Sequence, residues 1–285
     1  MLIILWLSSM VFSQDRPHID SLVNKGRSIC LEFPDSSLSY SIPAYNMSVK
    51  ENYYWGIVNS SQWISEAFYA KGEVDSALIY DHISLNAALG ADDQAEIANN
   101  YVAIASKLTV KGDLAESVRY FEMVQKILEE RRDTLDLADM HQRLANVYIN
   151  QDKLDEAMYH YNLGYKYALA LRDTAYISYG LSGMAYVQKK MENYEKAIEI
   201  SLESLGYLRA LDDAYGIMVS YNNTGIMYKD ISDYESALSA YDTVFHYAEV
   251  LNFERGYMSA GINWGILYNQ LESYDQAIPY LEKAL

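Results

Sequence analysis

Apolar residues along most of this chain recur at three- and four-residue intervals, in runs separated by short polar breaks. The stretch Asn222–Tyr241, NNTGIMYKDISDYESALSAY, shows the unit. Gly225 is followed three residues later by Tyr228. A polar break, Asp230 to Asp233, leads into a second run carrying Tyr234, Ala237, Leu238 and Tyr241. This spacing predicts two amphipathic helices meeting at a tight turn. The small residue at 237 recurs at 40-residue steps as Ser37, Ala77, Ser117, Ala157, Ala197 and Ala277. Twelve positions before each from 77 onward, the first helix carries Ser65, Ala105, Ala145, Ala185, Gly225 and Gly265. Bulky residues follow three positions later: Phe68, Leu108, Tyr148, Tyr228 and Tyr268, with Gln188 in the remaining copy. Small residues let helix backbones approach, and the bulky ones fill the space between hairpins.

This pattern resembles the tetratricopeptide repeat, in which a small–bulky pair on the first helix faces a small residue and an aromatic on the second. The resemblance covers 53–285 well and 16–50 with fewer matching positions. The 40-residue period exceeds the usual 34 or so, so each helix is expected to be longer, at about 17 residues. The implied fold is all-α, a right-handed superhelical solenoid of antiparallel helix hairpins. Expected repeats run 53–92, 93–132, 133–172, 173–212, 213–252 and a truncated 253–285. Residues 14–52 are expected to form an incomplete leading hairpin, with Pro43 kinking or ending its second helix because proline has no N–H to donate. Asp81 and Ser201 break the pattern where Phe121, Tyr161 and Tyr241 stand in other copies.

Turn chemistry fits the same register. Asp93, Asp133, Asp173 and Asp213 precede successive first helices and are expected to cap them. Gly72 and Gly112 end two first helices, while Asp113, Asn193, Asp233 and Ser273 are placed to cap second helices. The chain stops inside a second helix, with Ala284 and Leu285 in apolar slots, so it reads as the front part of something longer.

Residues 1–13, MLIILWLSSMVFS, are apolar and end in small residues suited to cleavage after Ser13. They are too short to span a bilayer comfortably, so a signal peptide and export to the periplasm or cell envelope are expected, the alternative being a non-cleaved anchor whose upstream part is missing. Any membrane tether is expected only beyond Leu285. A net charge of −17 disfavours nucleic-acid binding through this segment. The basic pairs Arg131–Arg132 and Lys189–Lys190 read as solvated helix ends. Cys30 is the single cysteine, which rules out an intramolecular disulfide.

No metal-ligand spacing, phosphate loop or catalytic constellation is present in the sequence, so neither a cofactor nor an enzymatic activity is expected. The tyrosines at repeat positions 148, 161, 194, 228, 234, 241, 268 and 274 are read as packing. In the resembled family the first helices line a concave face that holds an extended peptide or partner helix. Mapping those offsets onto this sequence gives Asn99, Gln142, Asn146, Tyr179, Tyr186, Asn222, Lys229 and Asn269. Amide side chains there suit recognition of a peptide backbone. At the slots where some family members grip a terminal carboxylate with lysine, this chain has Gln62, Val102, Gln142, Ser182, Asn222 and Ile262. The sequence is also similar to the periplasmic repeat regions of bacterial envelope sensors. That similarity implies the sensory or interaction region of a larger signalling protein, a histidine kinase or a transcriptional regulator. The alternative is an assembly or secretion adaptor in the same compartment.

Overall fold

The computed structural model describes residues 15–273 and, beyond them, 275, 278, 279, 281 and 282. The apolar run 1–13 and its cleavage point, Tyr274, Ala277, Ala284 and Leu285 lie outside the described residues. Among the described residues there are thirteen well-defined helices and no strand. The chain divides into two compact units, one ending at Arg132 and the other beginning at Asp133.

The first unit is three hairpins. Helices α1 (Arg16–Ile29) and α2 (Pro34–Lys50) form one, α3 (Tyr54–Ala70) and α4 (Val74–Gly90) the next, and α5 (Gln94–Lys111) and α6 (Leu114–Arg131) the third. The second unit pairs α7 (Thr134–Asn150) with α8 (Leu154–Leu171), α9 (Thr174–Lys190) with α10 (Tyr194–Ala210), and α11 (Ala214–Asp230) with α12 (Tyr234–Leu251). Helix α13 (Glu254–Gln270) follows. Within each unit a helix packs chiefly on its chain neighbours, so the fold grows by stacking.

The small residues sit where the spacing placed them. Ser37, Ala77, Ser117, Ala157, Ala197 and Ala237 are all fully buried between paired helices, as are Ser65, Ala105 and Ala145. Where the anchor is serine, its hydroxyl finds a partner on the facing backbone. Ser117 Oγ donates to the Ala105 carbonyl at 2.8 Å, and Ser37 Oγ to the Gly26 carbonyl at 2.9 Å. At 37 and 117 a serine therefore fits an alanine slot with its buried hydroxyl satisfied.

From Asn52 onward the joints share one geometry. A residue in the left-handed region occurs each 20 positions, from Asn52 through Gly72, Asp92 and Gly112 to Glu272. The next residue's N–H reaches back five positions, as in Tyr53 to Ser48 and Asn193 to Gln188, giving the Schellman closure of a helix C-terminus. Ten of these left-handed positions are not glycine, so the glycine signal marked only two of them. Aspartates then cap the following helix. Asp93 Oδ1 accepts from Glu96 N at 3.2 Å, Asp213 Oδ1 from Gly216 N at 2.8 Å, and Asp173 Oδ1 from the N–H groups of Ala175 and Tyr176. Asp133 and Asp233 cap in the same way, but Asp113 and Asn193 do not. Asp113 instead faces Lys111, and the Asn193 amide donates to Gln188 Oε1 at 2.9 Å.

The expected break at Pro43 does not occur, and α2 runs unbroken through it from Pro34 to Lys50. Pro43 lies on the exposed face of the helix, where the carbonyl it orphans one turn earlier is open to water.

Candidate functional site

The position that breaks the pattern at 201 organises the site. One repeat earlier, Tyr161 on α8 is buried between α7 and α9 against Ala145, Met184 and Val187. Its hydroxyl donates to Asn146 Oδ1 at 2.7 Å, and burial holds it well above the ordinary tyrosine range. Gly183 faces the ring, leaving no room for a side chain there. One repeat later, Tyr241 fills the same position against Gly225, Trp264 and Leu267. Between them Ser201 presents only a hydroxyl, tied to Ser220 Oγ at 3.1 Å and Thr224 Oγ1 at 2.9 Å. A cleft of about 420 Å³ opens in that gap between α9 and α11, with α10 contributing to its lining.

Tyr179 and Tyr186 on α9 and Tyr215 on α11 line this cleft and are 49%, 43% and 54% exposed, so they offer ring surface to a visitor. Ser178, Ser182 and Ser220 add hydroxyls, and Lys189 and Asp213 supply one charge of each sign. Lys189 was expected at a solvated helix end. It is instead half-buried in the cleft lining, and the lost hydration lowers its amine from the ordinary lysine range against the pull of Asp230. The size falls within the roughly 300–1,000 Å³ typical of ligand pockets.

The residues mapped from the sequence take different positions. Tyr179 and Tyr186 share the cleft. Asn146 lies beside it, its amide spanning Tyr161 and the Tyr179 hydroxyl, which it meets at 2.9 Å. Gln142 is buried, and its amide donates to the Tyr176 carbonyl at 2.8 Å beneath Gly164 and Gly180. It links α7 to α9 and presents no open surface. Asn222 Oδ1 accepts from Ser259 and Asn263 on α13, and Lys229 pairs with Asp230 at 3.0 Å. Asn269 is exposed on α13, and Asn99 is exposed on α5 in the first unit. Ser201, Tyr215 and Asn223 were not singled out as ligand-facing, and Ser182 stood only among the family slots that carry no lysine here. The only trace of the first three in the sequence was Ser201, standing in an aromatic position.

A buried charge occupies the other broken slot. Asp81 meets Lys107 at 3.1 Å, and Lys107 Nζ also meets Glu66 at 2.7 Å. This filled arrangement leaves the 201 position distinct, because no second side chain has grown into its gap. Among the described residues, no group of three or more His, Cys, Asp or Glu side chains is placed to hold a metal ion. No helix of the described residues is long and apolar enough to cross a membrane.

A family profile described as "Tetratricopeptide repeat" matches residues 263–285. A search of curated protein sequences finds no match to the chain. Among solved structures, the apo form of RapI aligns with a TM-score of 0.71 at 14% identity, over 94% of this chain and 96% of that one. Aspartyl phosphate phosphatase F from Bacillus subtilis aligns at 0.66 and 11% identity, covering 93% and 92%. NprR in complex with its cognate peptide NprX aligns at 0.58 and 13% identity, covering 96% and 76%. Sequence pattern and fold agree on tetratricopeptide repeats.

Proposed function

We propose that this chain, a tetratricopeptide-repeat fold on a 40-residue period, is a scaffold that binds a protein segment or extended peptide across the first helices of its second unit. The carrying observation is the cleft between α9 and α11, walled by three exposed tyrosines and lined by hydroxyl groups. Exposed rings give contact area with little side-chain entropy to lose, and the exposed tyrosine and Ser182 hydroxyls offer partners to a peptide backbone. NprR, which has a similar fold, is solved with a peptide bound, and that supports this reading. With a net charge of −17, a neutral or basic segment is favoured over an acidic one at low salt.

In the finer reading the scaffold is the sensory or interaction region of a larger exported signalling protein, with residues 1–13 as its signal. Its output is then a histidine kinase or a transcriptional regulator.

Selection of a random peptide library on the purified chain tests the binding role. Selected peptides are expected to lose at least tenfold in affinity on Tyr179→Ala or Tyr186→Ala and to be unaffected by Glu199→Ala on α10. Sensitivity to Glu199→Ala alone, or failure to select any peptide, would overturn it.

A further inference from the structure

We infer that the cleft at Ser201 receives the ring of an aromatic residue, tyrosine above all, carried by the bound segment, so that the partner supplies the side chain this repeat lacks. This rests on the binding role proposed above and specifies what is bound.

The chain itself shows what the space accepts. Positions 121, 161 and 241 carry Phe, Tyr and Tyr, and each of these rings is at least 98% buried. The surroundings at 201 are those of 161 shifted by one repeat. Ala145 becomes Ala185, Asn146 becomes Tyr186, Gly183 becomes Asn223 and Val187 becomes Met227. All four shifted residues line the cleft.

The floor is closed and satisfied, because Ser201, Ser220 and Thr224 bond to one another. A visiting ring therefore displaces none of those bonds. At the rim the tyrosine hydroxyl that Tyr161 directs to Asn146 would meet Tyr186 and Asn223, both able to hydrogen-bond. Leucine or valine would fill less of the gap and offer no hydroxyl to those rim groups.

The other broken position serves as an internal comparison. At Asp81 the missing ring is replaced by Lys107, which reaches into the core and pairs there. Nothing equivalent happens at 201, where the facing residue is Met227 and the gap stays open.

The test uses p-cresol as the isolated side chain, titrated into the full chain by NMR, with isopentane-like N-acetylleucine amide as the aliphatic control. Saturable p-cresol binding is expected, with shifts confined to the surroundings of Tyr179, Tyr186 and Asn223. Ser201→Tyr and Ser201→Phe should each weaken it at least tenfold, with thermal melting confirming their fold. Unchanged p-cresol binding in a folded variant, or no saturable binding to the wild type, would overturn the inference. Should neither variant fold, the location of the wild-type shifts decides it: at the cleft in support, elsewhere against. Library peptides that require Tyr186 yet contain no aromatic residue and ignore Ser201→Tyr would sink the inference while leaving the scaffold role standing. A library that yields no peptide counts against the scaffold role alone.

Discussion

Asp81 and Lys107 meet at 3.1 Å with both side chains at least 97% buried, and the matching pairs elsewhere are Phe121 with Val147, Tyr161 with Val187 and Tyr241 with Leu267. A charge pair thus occupies a position that the other repeats fill with apolar groups. Asp81 and Glu66 hold the Lys107 amine above the ordinary lysine range despite the burial that opposes it. Removing one partner strands the other, so Lys107→Met is expected to destabilise the first unit by about 3–5 kcal/mol. The double change Asp81→Phe with Lys107→Val reproduces the 121/147 pair and should recover wild-type stability or exceed it. Urea unfolding of the three proteins checks both statements.

The anchor alanines sit fully buried at helix–helix contacts. Ala197 is fully buried beside Ile198 and Met227. Ala197→Leu should overpack this contact and lower stability by about 1–3 kcal/mol. An unchanged thermal midpoint would place the anchor elsewhere.

Gly183→Ala should destabilise although alanine is the better helix former. The added methyl overlaps the Tyr161 ring, which is buried and tied to Asn146 and so has little room to shift. Overpacking of about 1–3 kcal/mol outweighs the roughly 1 kcal/mol that alanine gains over glycine in a helix. Calorimetric melting of the variant gives the sign directly.

Acid should weaken the second unit through His160. Its ring stacks on Tyr148 and shares a 3.0 Å contact between Nδ1 atoms with the buried His141. Burial lowers its pKa below the ordinary histidine value. A base depressed in the folded state binds its proton first in the unfolded state. The stability tied to its neutral form is therefore complete above about pH 6.5 and declines as pH falls toward the folded value. Thermal midpoints at pH 7.5 and 5.5 should differ more for the wild type than for His160→Gln.

The sequence displayed features that repeat and concealed those that depend on contact across repeats. Small residues at 40-residue spacing revealed the hairpin contacts, because close helix approach imposes size at a fixed position whatever the neighbours. The aspartates at 93, 133, 173 and 213 were readable because capping is local. The left-handed joints at positions such as Arg172 and Glu192 were not, since the backbone closure holds them with residues that carry no turn signal. Gln142 looked like an open amide on a first helix, yet glycines at 164 and 180 bring neighbouring backbones over it. Lys189 looked like a helix-end charge, and only the gap beside Ser201 makes it part of a cleft wall. At 81 and 201 the sequence showed that a ring was missing. Whether another side chain had taken its place was a matter of which residue lay opposite, Lys107 or Met227.

The constant 20-residue interval between left-handed joints gives the chain a reading frame in space. Each residue added to or removed from a helix turns everything after it by about 100° and carries its anchor off the contact face. Losing a single 20-residue step is no better, because it sets a first-helix face where a second-helix face belongs. Only whole 40-residue steps restore both direction and face. Length variation in proteins built this way should accordingly come as complete hairpins gained or lost. Excising 173–212 should leave a shorter folded chain, whereas excising 173–192 should not.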